Sequence, residues 1–277
     1  MSISDLLRVN PGPIDLGAIA PEATPGFEGD KAAGKEALKA LAPRLAELQE
    51  MLSAEGYVGG ERKLLLVIQG MDTSGKGGVL NDCVGIFDPG GISLKSFKKP
   101  TKEELAHDFL WRVEKVVPAA GYVGIFDRSH YEDVLIGRVR QLAEPAEIER
   151  RYAAINDFEQ RLVEQGTTIV KCMLHISKDE QCSRLLARLD DPTKQWKYKP
   201  ADVDERALWD QYQSAYGIAL ERCSTDAAPW YVVPSNKKWY RSWAIATLLV
   251  EAFESMKLDW PTPSYDVEAE KKRVAQS

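Results

Sequence analysis

The sequence predicts an α/β fold in which a mostly parallel central sheet lies between two layers of helices. Short apolar runs rich in β-branched residues alternate along the chain with longer segments of helical periodicity. The run over residues 62–70 (RKLLLVIQG) is apolar at its centre, as expected of a parallel strand that is buried on both faces. No internal repeat is visible. The alternation therefore favours a parallel sheet with helices on both faces, whose ligands bind at the carboxyl ends of the strands.

The elements follow from local composition and spacing. Residues 1–30 contain many Pro and Gly residues and show no periodicity, so they are predicted to form an extended N-terminal arm. Leucines recur at alternating intervals of three and four residues between Leu38 and Leu52, which predicts an amphipathic helix over 31–55. Strands are predicted at 62–70, 92–97, 122–126, 167–176 and 230–233. Helices are predicted from Lys76 onward and over 105–117, 144–165, 178–190, 204–224 and 236–257, with a polar loop at 191–203.

Length and composition restrict the class of protein. The chain has 277 residues, a net charge of −6 and four widely spaced cysteines. An acidic chain is not a general nucleic-acid binder, and the cysteine spacing argues against a structural zinc site or a disulfide scaffold. No apolar run approaches the roughly 20 residues that span a bilayer, and no signal peptide is visible. We therefore expect a cytoplasmic protein without nucleic-acid or membrane partners, with one domain over 31–260 and a C-terminal tail at 261–277.

A phosphate-binding loop follows the first buried strand. Residues 70–76 (GMDTSGK) fit the pattern GxxxxGK, in which backbone N–H groups surround phosphate oxygens and the lysine adds positive charge. Gly77 occupies the position at which a Ser or Thr hydroxyl normally binds Mg²⁺. The alternative is a tight turn with an incidental lysine. The predicted phosphate-binding residues are Gly70, Thr73, Ser74, Gly75, Lys76, Gly77 and Gly78.

Asp72 places a carboxylate inside this loop. Two like charges about 4 Å apart repel by about 4 kcal/mol at an effective dielectric constant near 20, so a carboxylate facing phosphate needs a bridging cation. We therefore interpret Asp72 as a metal ligand. The alternative is a residue that stabilises the turn through its own side chain.

A second carboxylate, Asp127, ends the apolar run at 122–126. An Asp at the carboxyl end of such a strand is typical of a Walker B acid that holds Mg²⁺ against phosphates, and the adjacent Arg128 could bind phosphoryl oxygens through its planar fork. The alternatives are a helix N-cap for Asp127 and a surface ion pair for Arg128. His130 follows closely and is placed to contact substrate.

Two basic clusters could receive a polyanion. Residues 184–199 hold five cations against Asp190 and Asp191, and a segment after the fourth core helix often closes over phosphates as a lid. We predict a lid over about 184–205, with Arg188, Lys194 and Lys197 on phosphate. The second cluster comprises Lys95, Lys98, Lys99 and Lys102. A solvated surface is the alternative for both.

Four segments together resemble the family-2 polyphosphate kinases. They are GMDTSGKGG at 70–78, SFKKPTKEELAHDFLWR at 96–112, FDRSHYEDV at 126–134 and LDDPTKQWKYKPADVDER at 189–206. The resemblance covers roughly residues 31–260 and implies a P-loop kinase-like three-layer α/β/α fold with a helical lid. Glu132 and Asp133 stand where other branches have Asn-Arg, which favours the branch that phosphorylates both nucleoside mono- and diphosphates.

The resemblance implies a reversible phosphoryl transfer between inorganic polyphosphate and nucleotides. Asp72 and Asp127 would hold Mg²⁺, with Mn²⁺ as a substitute, and Lys76 and Arg128 would neutralise the transferring group. Glu132 would help to choose the acceptor, and His130 and Tyr131 in the same motif are expected at the nucleotide. The implied partners are polyphosphate, adenine nucleotides with guanine nucleotides as a further option, and other copies of the chain in a dimer or tetramer.

Three other functions compete with this interpretation. An ATP-dependent nucleoside monophosphate kinase on the same fold would use the same loop and lid, but the combination of Gly77 and Asp72 disfavours it. A P-loop switch ATPase would need a glutamine that positions water, and none is evident after a second strand. A catalytically inactive phosphate-binding module is disfavoured because Asp72, Lys76, Asp127 and Arg128 are all present.

Overall fold

A five-stranded sheet forms the centre of the computed structural model, which describes all 277 residues. The strands are β1 (Lys63–Gln69), β2 (Ile92–Ser96), β3 (Val123–Asp127), β4 (Thr167–His175) and β5 (Trp230–Pro234). Their order across the sheet is β2-β3-β1-β4-β5, and every neighbouring pair is parallel. The predicted α/β class with a parallel sheet is therefore confirmed.

Eleven α-helices accompany the sheet. They are α1 (Ile3–Leu7), α2 (Lys31–Tyr57), α3 (Lys76–Asp82), α4 (Trp111–Glu114), α5 (Ile136–Val139), α6 (Pro145–Glu164), α7 (Lys178–Asp190), α8 (Ala201–Ala207), α9 (Trp209–Cys223), α10 (Lys238–Ser255) and α11 (Val267–Ala275). None of them is long and apolar enough to cross a membrane.

The sheet separates two apolar layers. Leu65 and Val67 of β1 point into the layer formed with α6 and α9, whereas Leu64, Leu66 and Ile68 point into the layer formed with α2, α3 and α10. Because successive side chains of a strand point to opposite faces, a strand covered on both sides must be apolar throughout. This explains the continuous apolar run that the sequence shows at β1.

The N-terminal segment packs on the sheet and is not simply extended. It begins with the short helix α1, whose Ser2 and Asp5 form a reciprocal capping box. The Val9 N–H then donates to the Trp230 carbonyl at 2.8 Å, and Arg8 forms an antiparallel bridge with Tyr231. The arm therefore covers the outer edge of β5.

The helix predicted over 105–117 is wrong. The structure has a 3-10 turn at Glu104–Ala106, a break, and only the four-residue α4. The break lies at Asp108, whose carboxylate accepts from the Leu110 N–H at 3.1 Å while its carbonyl accepts from the Trp111 N–H. An Asp that bonds the backbone two residues ahead competes with helical hydrogen bonds. The helical spacing of apolar residues over 105–117 therefore does not come from one continuous helix. Its buried members, Phe109, Leu110 and Val113, lie in and just before the short helix α4.

The predicted loop at 191–203 and helix at 204–224 have different bounds in the structure. Helix α8 begins at Ala201, directly after Pro200, and ends at Ala207. Leu208 then leaves the helical conformation before α9 begins at Trp209. Proline is favoured at helix starts because it has no N–H to leave unsatisfied, and this signal marks the start of α8 in the sequence.

The strand register brings Asp127 and Ser96 together at one edge of the sheet. Asp127 lies opposite Ile68 of β1 on one side and opposite Ser96 of β2 on the other. All five strands run in parallel, so their carboxyl ends meet at this edge. The phosphate loop leaves β1 at the same place.

Candidate active site

The loop between β1 and α3 has the backbone expected of a phosphate cradle. Gly70 (φ +153°) and Gly75 (φ +113°) adopt conformations that favour glycine, and a Cβ on Gly70 would lie 2.9 Å from the Leu174 carbonyl oxygen. The N–H groups of Gly75, Lys76 and Gly77 donate to no acceptor in the protein. The side-chain oxygens of Thr73 and Ser74 are buried and also lack partners. Unsatisfied donors that converge on one loop are suited to binding phosphate oxygens.

Lys76 lies across this loop. Its Nζ donates to the carbonyl oxygen of Gly70 at 2.8 Å and contacts that of Met71 at 3.4 Å. Burial lowers the pKa of the Lys76 ammonium, and the neighbouring Arg128 adds to the effect, while Asp72 and Asp127 oppose it. An anion beside Lys76 would therefore favour its charged form.

Arg128 contacts two carboxylates, those of Asp72 and Glu132. It follows β3 in a left-handed conformation (φ +63°), which is uncommon for a residue with a side chain and costs about 1 kcal/mol or more. Its guanidinium lies 3.1 Å from Asp72 Oδ1 and 3.8 Å from Glu132 Oε2. Although burial opposes the effect, Glu132 and Asp72 raise the pKa of Arg128.

Asp127 has one oxygen fixed and one without a partner. Ser96 donates to Asp127 Oδ2 at 3.3 Å, whereas Oδ1 is buried and unbonded. A buried carboxylate oxygen without a partner is costly unless a ligand satisfies it. Asp127 therefore offers an oxygen ligand toward the phosphate loop.

Eleven of the predicted residues border one cavity of about 820 Å³, whereas Gly70, Ser74, His130, Tyr131 and Glu132 do not line it. Asp72, Thr73, Gly75, Lys76, Gly77 and Gly78 line it from the loop, and Asp127 and Arg128 line it from β3. Arg188, Lys194 and Lys197 of the predicted lid line its far side. Eight cations face three carboxylates there, which makes the cavity strongly basic in an acidic protein.

The structure places His130 and Tyr131 away from this cavity. Both are 0% exposed. His130 Nε2 lies 3.2 Å from Glu159 Oε1, and the Tyr131 hydroxyl donates to the same oxygen at 2.9 Å. Buried Lys171 completes the cluster by donating to Glu159 and to the Tyr131 hydroxyl. The expectation that His130 and Tyr131 contact substrate is therefore wrong. Their buried hydrogen bonds to Glu159 instead fix the 128–133 turn to the core.

Glu132 lies beside the site, with its Oε2 3.8 Å from the Arg128 guanidinium. Burial raises the pKa of its carboxyl, while Arg128 and Lys76 oppose the rise. With the Gln69 amide oriented to satisfy all its neighbours, Gln69 Nε2 donates to Glu132 Oε1 at 3.0 Å. Burial raises the pKa of Tyr212 and Tyr216 on α9, and the Glu132 carboxylate adds to the effect. Glu132 therefore contacts Arg128 next to the cavity without lining the cavity itself.

Arg184 holds the phosphate loop in place, a role that the sequence did not indicate. It is buried, and its guanidinium donates to the carbonyls of Thr73 and Ser74 at 2.8 and 2.9 Å. It also donates to Ser235 and Asn236 after β5 and to Glu180 on its own helix. All five N–H groups are used, so Arg184 ties the loop to the end of β5.

Sequence analysis also missed Lys238 and Arg241, which line the cavity from the first turn of α10. Arg241 is 2% exposed and lies against the loop glycines, so a Cβ on Gly75 would approach its guanidinium to 2.0 Å. The available signal was a pair of cations directly after a parallel strand, at the edge where ligands bind. The sequence of α10 indicated only an apolar, aromatic-rich helix, so its two cations were not assigned a role.

A family model and curated relatives are similar to this chain over most of its length. Residues 28–261 match the family model described as "Polyphosphate kinase 2 (PPK2)". The chain is 48% identical over 257 residues to the AMP/ADP-polyphosphate phosphotransferase of Meiothermus ruber, which covers 92% of this chain and 95% of that protein. It is 39% identical over 260 residues to the ADP-polyphosphate phosphotransferase of Rhodopseudomonas palustris, covering 90% and 88%.

A solved structure shares the whole fold. The crystal structure of polyphosphate kinase 2 from Arthrobacter aurescens TC1 superposes with a TM-score of 0.98 at 58% identity, over 100% of this chain and 98% of that one. The chain therefore belongs to the polyphosphate kinase 2 family of phosphotransferases.

Proposed function

We propose that the protein transfers phosphoryl groups reversibly between inorganic polyphosphate and nucleoside mono- and diphosphates, converting AMP to ADP and ADP to ATP. The observation that carries the proposal is the cavity in which eight cations face three carboxylates around an unsatisfied phosphate loop. A polyphosphate chain carries a negative charge on every unit, so several cations along one cavity are needed to bind it. The names of the relatives from Meiothermus ruber and Rhodopseudomonas palustris support the same acceptors.

Mg²⁺ is the proposed cofactor, with Mn²⁺ as a substitute. Asp127 offers a buried oxygen without a partner, and Asp72 offers a second carboxylate on the same cavity. Two carboxylates on one cavity suit Mg²⁺, because it is commonly bound by one or two carboxylates plus phosphate and water. When bound, Mg²⁺ would neutralise charge on the transferring phosphoryl group.

The side chains around the cavity have different proposed roles in phosphoryl transfer. The loop amides and Lys76 bind phosphoryl oxygens, and Arg128 orients the group from the opposite side. Arg188, Lys194 and Lys197 hold further phosphates and would exclude water if the 184–205 segment closes. Because the acceptor is already a phosphate oxygen, in-line transfer needs positioning and charge neutralisation and no general base.

Glu132 is proposed to influence the acceptor. It lies beside Arg128 but outside the cationic wall, where the acceptor phosphate would approach. A carboxylate there repels a highly charged acceptor phosphate unless Arg128 or a metal compensates. Its charge state therefore affects the balance between mono- and diphosphate acceptors.

A coupled assay tests the function. Purified protein is supplied with Mg²⁺, polyphosphate and either AMP or ADP, with no ATP present, and nucleotide products are separated by chromatography. ADP from AMP and ATP from ADP are the expected products. No product from either acceptor, with transfer when ATP and AMP are mixed, would show that the donor is wrong.

Two further partners stay predictions. Guanine nucleotides are proposed as secondary acceptors, which the same assay tests with GMP and GDP. A dimer or tetramer is proposed as the assembly, which size-exclusion chromatography with light scattering measures. A monomer at assay concentration would contradict the assembly without affecting the proposed reaction.

A further inference from the structure

A second basic cleft adjoins the phosphate cavity. It has a volume of about 510 Å³ and carries Lys31, Lys35, Lys237 and Lys238 against the single carboxylate of Asp82. Lys238 and Asp82 line both the cleft and the phosphate cavity, so the two spaces share a wall. None of the roles assigned above uses the cleft beyond Lys238.

Close packing of two helix starts creates the cleft. Gly34 in the first turns of α2 lies against Trp239 in the first turn of α10, and a Cβ on Gly34 would come within 2.1 Å of the indole ring. This contact requires glycine. It brings Lys31 and Lys35, which are one helical turn apart and so on the same face, beside Lys237 and Lys238.

The four lysines have no partners within the protein. None of them lies within 4.0 Å of a carboxylate, and none donates a hydrogen bond. The carboxylate of Asp82 is instead engaged by the Ser242 hydroxyl at 2.7 Å and by Arg241 at 3.4 Å. Unpaired like charges in a concave surface create a positive potential that attracts an anion.

The wall between the two spaces is also cationic. Arg241 lines the phosphate cavity, is 2% exposed, and has a buried Nε without a hydrogen-bond partner. Burial lowers the pKa of Lys238, and the neighbouring Arg184, Arg241 and Lys194 lower it further. A polyanion that passes this point would relieve the repulsion among these cations.

We propose that the Lys31–Lys35–Lys237 cleft is an extension site for inorganic polyphosphate, which holds the part of a long chain that the phosphate cavity does not accommodate. The inference rests on the proposed function, since it concerns the same donor. It predicts that these lysines affect long chains and spare short ones. Lys238 belongs to both spaces and is expected to affect both.

The test compares donor length in a triple variant, Lys31→Ser/Lys35→Ser/Lys237→Ser. KM is measured for long-chain polyphosphate and for the shortest linear polyphosphate that supports turnover. Exposed ion pairs contribute about two- to threefold each, so the long-chain KM is expected to rise about tenfold. The short-chain KM and both kcat values are expected to stay within about twofold. A variant with the same charge change on the exposed C-terminal helix, Lys271→Ser/Lys272→Ser/Arg273→Ser, is expected to leave both KM values unchanged.

An unchanged long-chain KM would overturn the extension site, as would an equal rise for short and long donors. Calorimetric binding of the same two polyphosphates without nucleotide gives the comparison independently of turnover. If wild-type protein binds polyphosphate but does not phosphorylate AMP or ADP, the proposed function fails while the binding data still decide on the cleft. If it phosphorylates both nucleotides and the triple variant matches wild type, only the extension site fails.

Discussion

At the scale of single residues, Asp127 shows how a side chain can be held ready for a ligand. Ser96 fixes one of its oxygens and the other is buried without a partner. The Asp127→Asn variant keeps the shape but removes the negative charge and one oxygen acceptor. We expect turnover to fall by about 100-fold or more with an unchanged melting temperature, because removal of one preorganised electrostatic contact costs this much.

The measurement combines the nucleotide assay with a thermal melt followed by circular dichroism. Asp108→Asn serves as the control, since Asp108 is exposed, lies outside the cavity, and forms its ion pair with Arg150 while an amide oxygen can still accept from the Leu110 N–H. A folded Asp127→Asn variant with full activity would contradict the proposed metal ligand.

Arg184 has a structural role in the same cavity. Its replacement by Met would leave four backbone carbonyls without their donor, at about 1–3 kcal/mol for each group that water does not reach. We expect Arg184→Met to lower the unfolding free energy by about 3 kcal/mol, equivalent to roughly 10 °C in melting temperature, and to raise KM for the donor.

Arg188→Met is the matched comparison on the same helix. Arg188 lines the cavity but makes only weak contacts, with the Lys197 carbonyl at 3.5 Å and Asp202 at 3.9 Å. It should raise KM with little change in melting temperature. Equal melting temperatures for the two variants would show that Arg184 does not anchor the loop.

At the scale of elements, two helical glycines are expected to respond in opposite directions to the same substitution. Gly34→Ala adds a methyl group against Trp239 and should destabilise by about 1–3 kcal/mol through overpacking. Gly217 in α9 has only the Ile14 carbonyl oxygen at 3.6 Å, an ordinary contact. Gly217→Ala should therefore stabilise by about 0.5–1 kcal/mol, through the higher helix propensity of alanine.

Urea unfolding of both variants measures the two effects on one scale. Destabilisation by Gly217→Ala, or stabilisation by Gly34→Ala, would contradict the packing described here.

The strands could be predicted well from sequence because burial on both faces leaves a continuous apolar run, as in β1. The loop at 70–76 and the position of Asp127 could also be predicted, since each follows an apolar run of this kind. The failure over 105–117 has a local cause, because Asp108 redirects backbone hydrogen bonds that the apolar spacing does not report.

Contacts between distant segments could not be predicted. Arg184 acts through carbonyls more than a hundred residues earlier in the chain, and Arg241 through its approach to Gly75. His130 shows the opposite error. Its neighbours in sequence suggested a ligand contact, whereas the turn directs its ring into the buried network with Glu159.

At the scale of the whole molecule, the two ends of the chain contribute differently to stability. Ile3, Leu7 and Val9 are buried, and Glu251 accepts hydrogen bonds from the Ile3 and Ser4 amides at 2.8 and 2.9 Å. Removal of residues 1–9 exposes these contacts and the edge of β5. We expect a loss of about 5 kcal/mol, counted from the three apolar side chains alone.

Removal of residues 261–277 is the comparison. Helix α11 has no buried residue, so the melting temperature should stay within about 1 °C. Differential scanning calorimetry of the two truncated proteins decides the matter. A larger loss from the C-terminal truncation than from the N-terminal one would contradict the packing of the arm.

The uneven distribution of charge is expected to speed the association of a polyanion with the cavity. The cavity carries a formal charge of +5 while the whole chain carries −6, so the remaining residues carry −11. A polyanion diffusing toward the protein is repelled by most of the surface and drawn toward one opening. Such focusing can raise association rates by one to three orders of magnitude and weakens steeply as salt screens the field. The acidity of the exterior thereby helps to guide a polyanionic substrate to the phosphate cavity and the basic cleft beside it.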